Sequence, residues 1–313
     1  MVQRYELFKN ANLQKAARIE ASLLKGARHW LEDNGFTEII VPHIVNATGS
    51  CEVIDTLFEL PYFKRTAFLT QTGQLYLESV VPFFGGKVWT FGSSFRAEPK
   101  ADNRHLTEFS LLELEFEGNF DSMLTVIEDV FMAMVKQCWR DLSICPDPYP
   151  KIPFKRMGYG DAIRELGLNW GMDTTSVDEQ KLVSMNGNQP MFITHFPKEL
   201  KYFNMRVNDM DSRIVNSADF ILPFGGESAG AAEREYSYIK LRKRLLDSGM
   251  FIQYVANNGD RTAFDWYLNA YHKYNYQLHS GFGMGINRVT KYILKLDDIR
   301  DTTLFPVNSE QIY

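Results

Sequence analysis

Little in these 313 residues could form a covalent or metal framework. There are three cysteines, Cys51, Cys138 and Cys145, and no two have CxxC spacing. An odd set without that spacing argues against a disulfide scaffold and a zinc site, and leaves buried thiols of a reducing compartment. Long apolar runs are also missing, so no segment reads as a bilayer span. The start, Met1-Val-Gln-Arg-Tyr-Glu6, lacks the charged-then-apolar pattern of a secretion signal. The expected location is the cytoplasm, without membrane partners. Basic runs are short, none exceeding the one at Leu241-Arg-Lys-Arg244, and the formal net charge is -5. No broad electrostatic footprint for a polyanion is present, so tRNA binding is expected to be weak or absent.

What the chain does have is a 45% hydrophobic content, enough for a large core. The expectation is a single domain over 1–313, with a Pro-, Gly- and Asp-rich insertion at about 141–190 holding a short helix near Asp161–Leu166. Apolar residues from Leu13 to Leu31 recur at helical spacing, and Gly35 follows as a stop. Thr37–Val45 reads as a strand that Pro42 confines to an edge or an interface. A second amphipathic helix runs from Asp121, a candidate N-cap, to Trp139. Met191–Pro197 returns to strand character, with His195 a structural histidine. Asp219–Glu227 is a strand entering a glycine turn, after which Gly230 and Arg234-Glu235 open a helix.

The densest chemistry lies between two β-prone runs, Lys87–Phe91 and Phe109–Glu117. Phe95-Arg96-Ala97-Glu98 ends the first, and Arg104-His105-Leu106-Thr107-Glu108-Phe109 leads into the second. In the second run Leu112, Leu114 and Phe116 alternate with Glu113, Glu115 and Glu117, the period of a half-buried strand. A fixed guanidinium, an aromatic ring and carboxylates on one strand pair suit a nucleoside triphosphate and a metal. A sheet with a solvated charged face satisfies the same pattern. The deciding stretch is Gly281-Phe-Gly-Met-Gly-Ile-Asn-Arg288, whose glycines allow close backbone approach and whose arginine sits on the helix that follows.

Together these stretches resemble class II aminoacyl-tRNA synthetases: the arginine-bearing strand pair is similar to their second motif and Gly-x-Gly-x-Gly-x-x-Arg to their third. Phe-Arg-Ala-Glu, Arg-His-Leu-Thr-Glu-Phe and Gly-Phe-Gly-x-Gly narrow the resemblance to the aspartate/asparagine branch, over nearly the whole chain. It implies an α+β fold, a mostly antiparallel sheet flanked by helices, and a homodimer formed through Leu13–Val45. It implies ATP as substrate, with Arg96, Glu98, Arg104, His105, Leu106, Phe109, Gly285 and Arg288 around the nucleotide, Arg96, Glu98 and Arg288 being catalytic. Magnesium falls to Glu227 and Asp219, with Glu113 as an additional carboxylate. The substrate, aspartate or asparagine, falls to Glu52, Gln74, Glu78, Arg234, His279 and Gly281. This assignment is chemically sensible, since an ammonium wants a carboxylate and an amide oxygen, and a planar side-chain group wants a guanidinium fork.

Three departures bear on the reaction. Ala231-Ala232 stands where the family has Gly-Ser, and would make a bulkier pocket wall. Val307 stands where an arginine follows Leu304-Phe-Pro306 in the branch. Leu77-Glu78 stands near the position of a lysine in aspartate-specific enzymes. With the first catalytic helix starting near residue 13, the expectation is a core without the anticodon-reading β-barrel that precedes the catalytic part in the synthetases. A free-standing core of this branch resembles archaeal-type asparagine synthetases, which adenylate aspartate and pass it to ammonia. The alternatives are an asparaginyl-tRNA synthetase-like core that adenylates asparagine, a biosynthetic ligase using another amine, and a non-catalytic binding paralogue.

Overall fold

The computed structural model describes residues 4–47 and 54–312. Helix α1 (Ala11–Asp33) is capped by Asn10, whose side chain accepts the backbone N–H of Asn12 and Leu13. Short strands β1 (Thr37–Glu38) and β2 (Ile44–Val45) follow, then the hairpin β3 (Glu59–Tyr62) and β4 (Arg65–Leu69), helix α2 (Gln74–Val80), and the long pair β5 (Lys87–Phe95) and β6 (Glu108–Glu117). Next come α3 (Phe120–Leu142), β7 (Lys155–Gly158), α4 (Tyr159–Leu166), α5 (Ser176–Met185), β8 (Met191–Thr194), β9 (Ser217–Leu222) and β10 (Gly226–Glu233). Helices α6 (Tyr238–Asp247), α7 (Gly249–Asn258) and α8 (Asp265–Lys273) lead to β11 (His279–Gly285) and α9 (Ile286–Leu294).

Among the described residues the main sheet has eight strands in the order β1-β5-β6-β11-β10-β9-β8-β7. Pairing is antiparallel except for β1 with β5 and β7 with β8 at the two edges. This is the α+β architecture expected. One face of the sheet packs on α1, α3 and α9 through Ile19, Leu23, Leu31, Phe131, Val289 and their neighbours. Each such fully buried side chain contributes about 1.5–3 kcal/mol. The helices α1 and α3 meet at Gly26, where a Cβ would stand 2.7 Å from the carbonyl oxygen of Ala133. An aromatic cluster carried by α7 and α8, including Tyr254, Phe264, Tyr267 and Tyr271, forms a second core. No described helix is long and apolar enough to cross a membrane.

Several elements differ from the sequence expectation. Thr37–Val45 is not one strand: β1 joins the main sheet and β2 a three-stranded sheet with β4 and β3, Pro42 lying in the break. Proline cannot donate to a ladder, so the chain changes sheets there. The N-cap of α3 is Asn119, whose side chain accepts the Ser122 N–H, rather than Asp121. The alanine-rich run after Gly230 is strand, not the opening of a helix. Both of its edges are taken, by β9 and β11, and tertiary pairing overrides local preference. Segment 141–190 supplies the edge strand β7 and a second helix, α5, besides the expected α4. Strand β6 is buried on both faces, not one, over Leu112–Phe116, where α2 covers its carboxylate side.

Candidate active site

A cavity of about 300 Å³ opens over β6, β11 and β10. Arg96 enters it from the end of β5, its backbone N–H tied to the Thr107 carbonyl at 2.9 Å. Its guanidinium carbon stands 5.5 Å from the centre of the Phe109 ring. Its buried Nε makes no hydrogen bond among the described residues, and a buried donor in that state is a binding group awaiting an acceptor. Arg288, in the first turn of α9, donates to the carbonyl oxygens of Gly225 at 3.1 Å and Arg104 at 3.4 Å. Burial lowers its pKa, Glu227 opposes that, and Arg104 and Arg96 lower it further. Three guanidiniums that repel one another across a cavity call for a polyanion.

At the other end the wall is built on a buried charge cluster. Gln74, at the start of α2, donates to the Leu114 carbonyl at 3.0 Å and also to Glu115. Arg234, just past β10, places Nε 3.3 Å from Glu115 and 3.5 Å from Glu78. Burial works against its charge, but the two carboxylates win and raise its pKa well above the ordinary value. Behind it, Asn204 Nδ2 donates to Glu78 at 2.5 Å and the Tyr267 hydroxyl donates to it at 2.6 Å. His279 bridges the Glu115 carboxylate at 2.9 Å and the Tyr271 hydroxyl at 3.1 Å. Burial raises the pKa of Glu78 against the pull of Arg234.

The acids assigned to a metal are not equivalent. Glu227 is exposed to the cavity. Asp219 is held by Lys201 Nζ at 2.8 Å to each oxygen, and burial pushes its pKa up. Glu113 accepts the Gly73 N–H at 2.7 Å and the Thr72 hydroxyl, and burial pushes its pKa to about 7 against both donors. No three His, Cys, Asp or Glu among the described residues form a metal cage. The donor chemistry nevertheless fits magnesium, which takes one or two carboxylates and completes its shell with phosphate oxygens and water.

Of the residues singled out in the sequence, Arg96, Glu98, Arg104, His105, Leu106, Phe109, Gly285 and Arg288 line this one cavity, as do Gln74, Arg234, Glu227, Asp219 and Glu113. Glu78, His279 and Gly281 stand behind its wall: the first two are fully buried, and a Cβ on Gly281 would meet Glu115 and Gln74. They therefore support Arg234 and Gln74 rather than face the cavity. Glu52 falls outside the described residues. Ala231 points into the helical core and Ala232 is fully buried, and neither lines the cavity. The bulkier wall expected from this pair is not where the cavity is. Val307 carries backbone pairing instead, accepting the Thr107 N–H at 2.8 Å. Sequence reasoning missed Lys201, Asn204 and Glu179, of which Lys201 and Asn204 line the cavity.

The model of the family described as tRNA synthetases class II (D, K and N) matches residues 1–309. The asparagine–tRNA ligase of Thermococcus gammatolerans is 36% identical over 95% of this chain and 69% of its own length. That of Desulforamulus reducens is 32% identical over 100% of this chain and 74% of its own. Among solved structures, the asparaginyl-tRNA synthetase of Pyrococcus horikoshii complexed with asparaginyl-adenylate superposes with a TM-score of 0.90 at 32% identity. It covers 99% of this chain and 72% of that one. Similarity on this scale, along the whole chain and in three dimensions, makes the protein a member of the class II tRNA synthetase family that handles D, K and N.

Proposed function

We propose that the chain activates asparagine with ATP, forming asparaginyl-adenylate and pyrophosphate. The observation that carries this reading is the position of Arg234 against both Glu115 and Glu78. A guanidinium that already faces two buried carboxylates has little uncompensated charge left for a third. A neutral carboxamide oxygen suits it better than the β-carboxylate of aspartate. The Pyrococcus relative, complexed with asparaginyl-adenylate, supports the same choice.

In the proposed reaction the α-carboxylate oxygen of asparagine attacks the α-phosphorus of ATP, and the bond to the β-phosphate breaks to release pyrophosphate. Phe109 stacks on adenine, Arg104 and Arg288 hold the outer phosphates, and Arg96 stabilises the charge that develops on the α-phosphate. Gln74 orients the substrate amine and Arg234 its side-chain carbonyl. Glu227, with Asp219 beside it, would hold magnesium, which when bound neutralises phosphate oxygens. We also propose a homodimer through the region of residues 13–45, where Ile40 is 96% and Ile44 48% exposed.

Pyrophosphate exchange into ATP tests the reading. It is expected with asparagine and not with aspartate; exchange with aspartate alone would restore the aspartate-to-ammonia ligase. Adding tRNA, ammonium or another amine to the preformed adenylate then identifies the acceptor. Sedimentation at micromolar concentration tests the dimer.

A further inference from the structure

Glu179 was not among the residues that the sequence pointed to, and it comes from α5, in the segment read as an insertion. Its helix is fixed at the start by a capping box, with Thr175 and Asp178 each accepting the other's backbone N–H. Its side chain is 6% exposed and lies 3.8 Å from the Arg104 guanidinium. The same carboxylate oxygen accepts the backbone N–H of Glu227 at 3.0 Å. Gly226, at φ +66°, passes between: a Cβ there would stand 2.8 Å from this oxygen and 3.2 Å from Arg288 Nη1. One buried carboxylate thus touches the turn that carries Glu227 and sits beside the two arginines assigned to the outer phosphates.

We propose that Glu179 is the counter-charge of the triphosphate end, a positioning residue that weakens the grip of Arg104 and Arg288 on pyrophosphate enough for it to leave. The proposal rests on the reading of the cavity as an ATP site. Its physical basis is simple. Arg104 and Arg288 converge on a leaving group that carries several negative charges, and an arginine pair with no counter-charge would retain that product. A carboxylate a few ångströms from the guanidiniums lowers the potential they present to any anion.

The test is calorimetric titration of inorganic pyrophosphate into the intact protein in metal-free buffer at about pH 8.5, where carboxylates are charged. Glu179→Gln removes the charge and keeps an oxygen for the Glu227 N–H. It is expected to bind pyrophosphate about tenfold more tightly and to turn over more slowly in exchange, with KM for ATP falling alongside kcat. Glu179→Asp, which keeps the charge, should stay near the parent affinity. Glu179→Ala carries the test should the glutamine variant not fold. Unchanged or weaker pyrophosphate binding in the charge-removing variants overturns the proposal, and leaves a residue that only braces the turn. Failure of the parent protein to bind pyrophosphate or ATP would instead sink the ATP-site reading itself.

Discussion

The Nε of Arg234 stands 3.3 Å from Oε1 of Glu115, with both side chains buried. That contact sets how much positive charge the site can offer a substrate side chain. Glu115→Gln keeps the shape and removes one negative charge. Arg234 then regains charge toward the cavity, and selectivity is expected to move toward aspartate by about tenfold or more. Exchange rates with the two amino acids measure this. A variant that loses both activities equally, or gains preference for asparagine, would contradict the charge argument.

Gly26 tests the packing of α1 on α3. In a helix interior, Gly→Ala gains about 1 kcal/mol from propensity. Here the added methyl would stand 2.7 Å from both the Ala133 carbonyl oxygen and the Gln137 Cβ. Overpacking of that kind costs about 1–3 kcal/mol, so the net effect of Gly26→Ala is expected to be destabilising, with a fall in Tm of several degrees. A rise in Tm in a thermal melt would mean that the helices can part without cost.

Much of this arrangement was legible in the residues, and the reasons are local. The alternation of leucines with glutamates placed Glu113 and Glu115 on one face of β6, and the glycine run before Arg288 placed that arginine on a helix following a strand. What could not be read depends on pairs far apart in the chain. The burial of Glu115 makes sense only once Arg234 and His279, more than a hundred residues later, are brought against it. Glu179 reads as one more acid near a helix start until Gly226 and Arg288 arrive beside it. The strand character of β10 was hidden because Ala229, Ala231 and Ala232 prefer helix in isolation, and only β9 and β11 on its two edges decide otherwise.

Glu20 on α1 accepts a hydrogen bond from Asn287 Nδ2 at 2.8 Å, and burial raises its pKa to about 8. A carboxyl with a folded pKa above its unfolded value binds more protons in the native state between those two values. The difference in protons bound, unfolded minus native, is then negative, so stability falls as pH rises from about 4.5 to about 8. The slope from this group is at most about 1.4 kcal/mol per pH unit. Glu20→Gln keeps an acceptor for Asn287 and should flatten that slope in urea melts taken across the window. An unchanged slope would place the pH dependence on other acids.

Arg96 separates chemistry from folding. Its Nε has no hydrogen-bond partner among the described residues, and its guanidinium rests against Phe109 at 5.5 Å. Removing it breaks no ion pair among the described residues, in contrast to Arg234. If its work is done on the α-phosphate as charge develops there, Arg96→Ala should lower kcat for exchange about 10²- to 10³-fold. KM for asparagine should change little, because the arginine is assigned to phosphate and not to the amino acid. The melting temperature should stay within a few degrees of the parent. A variant that exchanges at near-parent rates would remove Arg96 from the reaction. One that loses activity together with its melting transition would make it a structural residue, and the unpartnered nitrogen would then need another account.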